Sequence, residues 1–188
     1  PGRDKLEPMP EEVLPEPPYP QRPDAREMTH KEYLKLNGVR MWKTWGAPYF
    51  RSRYPSHRKE LRPIIPYLFT DWKCNLDCHY CWAFDNSVKG MTEDVARRSI
   101  DWLHSTTCRV LALMGGEPLL RPQFAHKVCY YAAKLGFWIY LPTNARLMRP
   151  EVTDRLLDAG VATVNFAVDA IDIKPGLPKA LNPVRKNF

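Results

Sequence analysis

The chain has 188 residues, 44% of them apolar, and a formal charge of +7, which is room for one domain with a real core. It holds no run of 18 apolar residues, no basic–apolar–small leader at its start, and an odd five cysteines. These features argue against a spanning helix, a secretory signal and a disulfide-stapled framework, and they favour a reducing, cytoplasmic setting.

Residues 1–30 hold 8 of the 19 prolines, with 4 basic and 7 acidic groups. They lack the apolar content to offset the entropy of ordering and read as a disordered or extended tail. The first residue is Pro rather than Met, which points to a processed chain or a fragment. Residues 31–62 carry 9 basic and 2 acidic groups interleaved with Tyr33, Trp42, Trp45, Tyr49, Phe50 and Tyr54. This basic-aromatic extension reads as a short helix over about 31–46 and then a loop ending near Pro63. Packing of its aromatics on the domain is one reading; steering of an anionic substrate or contact with an anionic membrane surface is another. Nucleic acid is disfavoured, since no binding module is present.

From residue 63 onward strands and helices alternate. Ile64–Phe69 reads as a buried strand, followed by a loop rich in cysteine. Thr92 caps a helix running to about Thr106, with Glu93 and Asp94 in its first turn. Arg109–Met114 is the second strand, ended by Gly115-Gly116, and Phe124–Leu135 the second helix, stopped by Gly136. Phe137–Leu141 is the third strand. Pro150 opens a helix over Glu151–Ala159, and Val161–Val168 is the fourth strand. A further helical turn begins near Asn182-Pro183. Near-continuous apolar strands separated by helices predict an α/β fold: four parallel strands, part of a (β/α) barrel, with the chain ending before the barrel is complete. Chemistry in such folds gathers at the C-terminal ends of the strands. The cysteine loop, Gly115-Gly116-Glu117-Pro118, Thr143-Asn144 and Asp169 each follow one strand, so all fall on that edge.

Cys74, Cys78 and Cys81 form a Cys-x3-Cys-x2-Cys cluster. Structural zinc takes four protein ligands. Cys108 sits at the far end of the sheet, Cys129 lies within a helix, and His79 is crowded between two ligands, so none is well placed as the fourth. Three thiolates instead suit a cubane with one open iron. Glu117 and the two glycines are on their own a solvated turn, yet glycine allows close approach and a carboxylate suits an ammonium group. Trp72, Trp82 and Phe84 flank the cluster loop, as shields or as plain packing.

Cys74-Asn-Leu-Asp-Cys78-His-Tyr80-Cys81 after a first strand resembles the signature of the radical S-adenosylmethionine (SAM) superfamily. The resemblance implies that Cys74, Cys78 and Cys81 bind a [4Fe–4S] cluster whose fourth iron is chelated by SAM. Tyr80 fills the aromatic position before the third cysteine, with its backbone against the adenine. Gly115, Gly116, Glu117 and Pro118 resemble the element that holds the methionine amine. Thr143-Asn144-Ala145 resembles a Thr-Asn-Gly element, with Ala for Gly. The fourth-strand element often reads Ser-x-Asp-Gly; here Ala167 replaces the Ser and Ala170 the Gly, leaving Asn165 or Asp169 for the contact. The implied activity is reductive cleavage of SAM to a 5′-deoxyadenosyl radical that takes hydrogen from an unidentified substrate, with a flavodoxin- or ferredoxin-like one-electron donor. The competing reading is a non-enzymatic metal-binding module, zinc or iron–sulfur, whose basic arm meets an acidic partner.

Overall fold

The computed structural model describes residues 14–15, 29–52, 63–82 and 85–187. Four strands, β1 (Tyr67–Phe69), β2 (Val110–Met114), β3 (Trp138–Thr143) and β4 (Thr163–Phe166), form one sheet in the order β1-β2-β3-β4. Every pair is parallel. The expected α/β architecture is therefore present, as four strands of an open barrel with intervening helices.

Register explains how the sheet buries one face. Leu68 pairs with Leu113, Leu111 with Ile139 and Leu141 with Val164. These residues share one cluster with Ala96, Ile100 and Leu103 of α3 (Glu93–Ser105), with Phe124, Val128 and Cys129 of α4 (Pro122–Lys134), and with Leu156 of α5 (Pro150–Asp158). Each buried Leu or Ile contributes about 2 kcal/mol by leaving water. A second row, Tyr67, Ala112, Tyr140 and Thr163, runs along the opposite face.

The helix signals act as anticipated at α3, where the Thr92 hydroxyl accepts from Val95 N–H at 3.3 Å. Helix α5 starts on Pro150, and Gly136 and Gly160 follow α4 and α5 at positive φ of 83° and 78°. The strands are shorter than the apolar runs at β1, β2 and β4, because parallel pairing ends where partners end. β3 instead runs on through Thr143, which places Thr143 inside the strand rather than after it.

The arm differs from expectation. Helix α1 (His30–Met41) opens on a capping box between Thr29 and Glu32. It does not stop near 46 but passes through a widened turn, Trp42–Gly46, into α2 (Ala47–Ser52). The Thr44 hydroxyl donates to Arg40 O at 2.8 Å, and the Trp42 ring lies where a Cβ on Gly46 would sit, 2.4 Å away. Back-bonding and a bulky ring over a glycine loosen the ladder without breaking it. Arg40 anchors the arm: Nη2 donates to Gly160 O at 3.1 Å and Phe137 O at 3.5 Å, and the guanidinium lies 5.3 Å from the Trp138 ring centre. Those carbonyls lie at the N-terminal ends of β3 and β4, so the basic arm docks at the end of the sheet remote from the cysteine loop. Within the stretch read as a tail, Leu14 is described and is 1% exposed, joined to the core with its N–H donating to Glu93 at 3.1 Å. Apart from residues 14–15, residues 1–28, together with Tyr54 and Phe84, lie outside the described residues. Among the described residues no helix is long and apolar enough to cross a membrane.

Candidate functional site

β1 delivers the chain into the cysteine loop through Thr70 and Asp71, both buried. One carboxylate oxygen of Asp71 accepts from Trp72 N–H (2.8 Å) and Lys73 N–H (3.0 Å). The other faces Arg121 at 3.6 Å, and Arg121 also donates to Met91 O at 2.9 Å. A local turn and an ion pair thus fix the entrance of the loop.

The second motif is packed against the first. Gly116 N–H donates to Asp71 O at 2.9 Å and Glu117 N–H to Lys73 O at 2.8 Å. A Cβ on Gly116 would stand 2.1 Å from Lys73 O, and one on Gly115 would stand 2.6 Å from Asp71 O. The two glycines are required because the cysteine loop's own backbone lies against them. On the Cβ side of both glycines the close approach is to the chain's own backbone. Pro118 is buried at the start of a short 3-10 turn, Pro118–Leu120.

Glu117 is 1% exposed. Its carboxylate accepts from Leu119 N–H (3.0 Å), the Thr143 hydroxyl (2.8 Å) and Asn144 N–H (2.8 Å). Burial pushes its pKa up, against the pull of these donors. Glu117 therefore ties the end of β2 to the end of β3, with its acceptors occupied by the chain's own donors. The Asn144 side chain continues the network: its Nδ2 donates to Asn75 Oδ1 at 2.7 Å and lies 3.9 Å from Cys74 Sγ. Ala145, at the position where the resembled element has Gly, adopts φ 63° and is buried.

The sulfur atoms share one loop. Cys78 is buried, and Cys74 and Cys81 are half-buried. Leu76 N–H points at Cys74 Sγ at 3.4 Å, and Cys81 N–H donates to Cys78 O at 2.9 Å. Burial pushes the Cys74 and Cys78 thiols up, and the neighbouring cysteines push in the same direction. Held so, they bind protons until a cation takes their place. Among the described residues no three His, Cys, Asp or Glu groups close on a point fit for a single ion. Zinc–sulfur bonds of about 2.3 Å would draw sulfurs to within about 4 Å of one another. Three thiolates on one loop are the donor type that an iron–sulfur cluster takes, each on a different iron. Cys108 and Cys129 stay apart: the Cys108 thiol donates to Val110 O at 3.3 Å near the N-terminal end of β2, and burial in α4 pushes Cys129 up to about 12. The His79 ring is taken by Gly176 O, 2.7 Å from Nδ1.

The fourth strand contributes through Asp169, whose carboxylate accepts from the Tyr80 hydroxyl. No hydrogen bond among the described residues joins Asn165, exposed on β4, to either group. Phe69, Trp72 and Trp82 stack beside the loop with ring centres 5.6 to 6.1 Å apart, although Trp82 is 75% exposed and shields little. Sequence reasoning missed Asp71, whose Asp-Trp-Lys context gives only a turn signal. It also missed Lys179, whose ammonium lies 5.2 Å from the Tyr80 ring centre and which no local pattern marks.

The model of a family described as the radical SAM superfamily matches residues 73–188. An "AdoMet-dependent heme synthase" of Methanosarcina barkeri is 36% identical over 99 residues, covering 51% of this chain and 28% of the relative. A "Fe-coproporphyrin III synthase" of the same organism is 30% identical over 130 residues, covering 64% and 31%. A "GTP 3′,8-cyclase" of Chlorobaculum tepidum is 33% identical over 102 residues, covering 53% and 31%. The chain thus spans about a third or less of the length of these relatives.

Proposed function

We propose that this chain, which belongs to the radical SAM superfamily, is the cofactor-binding half-barrel of an enzyme in which Cys74, Cys78 and Cys81 hold a [4Fe–4S] cluster. When bound, the cluster and SAM supply one-electron cleavage of a sulfonium and hydrogen abstraction from the substrate. The family brings SAM and iron–sulfur chemistry generally; the assignment to these three thiols is ours. The carrying observation is that the cysteine loop and Gly115-Gly116-Glu117 are one hydrogen-bonded unit, with Gly116 and Glu117 N–H groups on Asp71 O and Lys73 O.

The residues do three jobs in this reading. Leu76 N–H and the Asn144 amide face the Cys74 sulfur and favour its thiolate. Glu117 holds Thr143 and Asn144 in place, and so orients the donors beside the loop rather than standing open to an ammonium group. Tyr80 and Asp169 join the loop to the end of β4 and define the side on which adenosine would lie. The substrate is not set by this half: relatives similar over it are named for heme, for GTP and for a peptide, "PqqA peptide cyclase". A flavodoxin- or ferredoxin-like donor supplies the electron.

Anaerobic reconstitution with iron and sulfide tests the reading. Four irons per chain, a reducible paramagnetic signal and 5′-deoxyadenosine from added SAM are expected, and Cys78→Ala should lose all three. One tightly bound zinc and no reducible cluster would overturn it in favour of a metal-stabilised binding module.

A further inference from the structure

We propose that Lys179 is a positioning residue of the cluster site, whose ammonium group over the Tyr80 ring of the cysteine loop raises the reduction potential of the cluster; this rests on the cluster assignment above.

Residues 170–181 after β4 fold back over the cysteine loop as a strap. Asp169 N–H donates to Lys179 O at 2.9 Å, and Leu181 N–H to Ala170 O at 2.9 Å. Gly176 O receives both His79 N–H (3.0 Å) and His79 Nδ1 (2.7 Å), which requires that Nδ1 carry the hydrogen. Gly176 has φ 70°, and a Cβ there would meet that nitrogen at 2.8 Å. Arg146 Nη2 donates to Pro178 O at 3.1 Å. The backbone on either side of Lys179 is therefore pinned to the segments that follow β3 and β4 and to the residue after Cys78.

This pinning aims the side chain. Its Nζ lies over the Tyr80 ring, and Tyr80 stands between Cys78 and Cys81 with its hydroxyl on Asp169. Lys179 thus places a cation 5.2 Å from the ring centre of the aromatic residue that stands between two of the proposed ligands. It acts on Glu117 and Asp169 as well, while half-buried. A cation in a partly desolvated position is weakly screened. Iron–sulfur potentials follow local charge and hydrogen bonding. Reduction adds one negative charge to the cluster, and a fixed cation stabilises the reduced form more than the oxidised one.

Redox titration of the reconstituted full-length protein, followed by electron paramagnetic resonance, tests this. Lys179→Met should lower the reduced-to-oxidised ratio at a fixed ambient potential roughly tenfold, about 59 mV for a one-electron couple. Lys179→Arg should restore it, and Lys174→Met, an equal charge loss at an exposed position of the same strap, should change it far less. An unchanged potential in Lys179→Met, or equal shifts in Lys179→Met and Lys174→Met, overturns the inference. Should Lys179→Met fold by circular dichroism yet hold no cluster, retention in Lys179→Arg supports the role of the charge, and loss in both overturns it. Failure of the unaltered protein to form any cluster overturns the assignment itself, and is separate from these outcomes.

Discussion

The two ends of the sheet are built from different materials. Of the seven buried polar or charged residues among those described, five (Thr70, Asp71, Glu117, Thr143 and Asn144) lie at or just beyond the C-terminal ends of β1, β2 and β3. At the other end the sheet buries Cys108, Val110, Phe137 and Val161, closed by Arg40 reaching in from the arm and by Arg109, which lies 5.7 Å from the Phe137 ring centre. Buried polar groups cost stability unless every hydrogen bond is made. Concentrating them at one edge is a cost that hydrophobic packing does not require, and it falls on the edge to which the proposed function assigns the cofactors. The described part of the basic arm, whose residues 31–62 carry a net charge of +7, docks at the plainer end.

The sharpest way to break this contrast is to fill one glycine at each end. Gly116→Ala places a methyl group 2.1 Å from the carbonyl oxygen of Lys73. Backbone, not a flexible side chain, must move, at a cost of about 3 kcal/mol. The displaced segment is the cysteine loop, so cluster content should fall with stability. Gly38→Ala, in α1 with nothing within 4 Å of the new methyl, should stabilise by up to about 1 kcal/mol and leave cluster content unchanged. Chemical denaturation and iron analysis check both. Equal effects would remove the distinction between the ends.

Glu117→Gln comes next. The amide keeps the shape but replaces one acceptor with a donor facing Thr143 or Asn144, at a cost of about 2 kcal/mol at pH 7. The pH dependence sharpens the reading. Burial holds the folded pKa of Glu117 above its usual carboxylate value of 4.5. Between the two values the folded state binds the extra proton, so stability of the metal-free chain falls as pH rises through that window. Below the unfolded value the contribution is complete. Glu117→Gln should flatten this slope in denaturation measured across acid to neutral pH, and a slope equal to that of the unaltered chain would sink the account. Arg40→Met, at the opposite end, loses two carbonyl contacts and the Trp138 ring, about 1 kcal/mol, with no change in pH slope or iron content.

The legible and illegible parts divide by sequence distance. The strand order, the Thr92 cap, Pro150 and the cysteine spacing are local patterns, and each was readable from neighbours within a few residues. The continuation of the arm helix past Gly46 was not, because it depends on Trp42 folding over a glycine. The tie from Glu117 to Thr143 and Asn144 was not legible either, because those partners lie 26 and 27 residues away at the end of another strand. Lys179 lies 99 residues after Tyr80, in a Pro- and Gly-rich stretch whose local signals say only loop. Side chains joined across strand ends leave no spacing to detect.

The smallest effect is expected at Ala145, where the chain departs from the Thr-Asn-Gly element. A φ of 63° puts its Cβ against the following carbonyl, a strain of about 1 kcal/mol. The conformation is over-determined by its surroundings: Ala145 N–H donates to the Thr143 hydroxyl at 3.1 Å, and its carbonyl receives Met148 N–H at 3.2 Å and Asn187 Nδ2 at 2.9 Å. Ala145→Gly relieves the strain but frees the unfolded chain, about 0.5–1 kcal/mol in the other direction, and removes a fully buried methyl. The sum is a change within about 0.5 kcal/mol of zero, while cluster content should stay at the level of the unaltered protein. A loss of more than 1 kcal/mol in denaturation would mean that the methyl is held by core packing tight enough to outweigh the strain, and that the departure from Gly is itself part of how the polar edge is fastened to the apolar core.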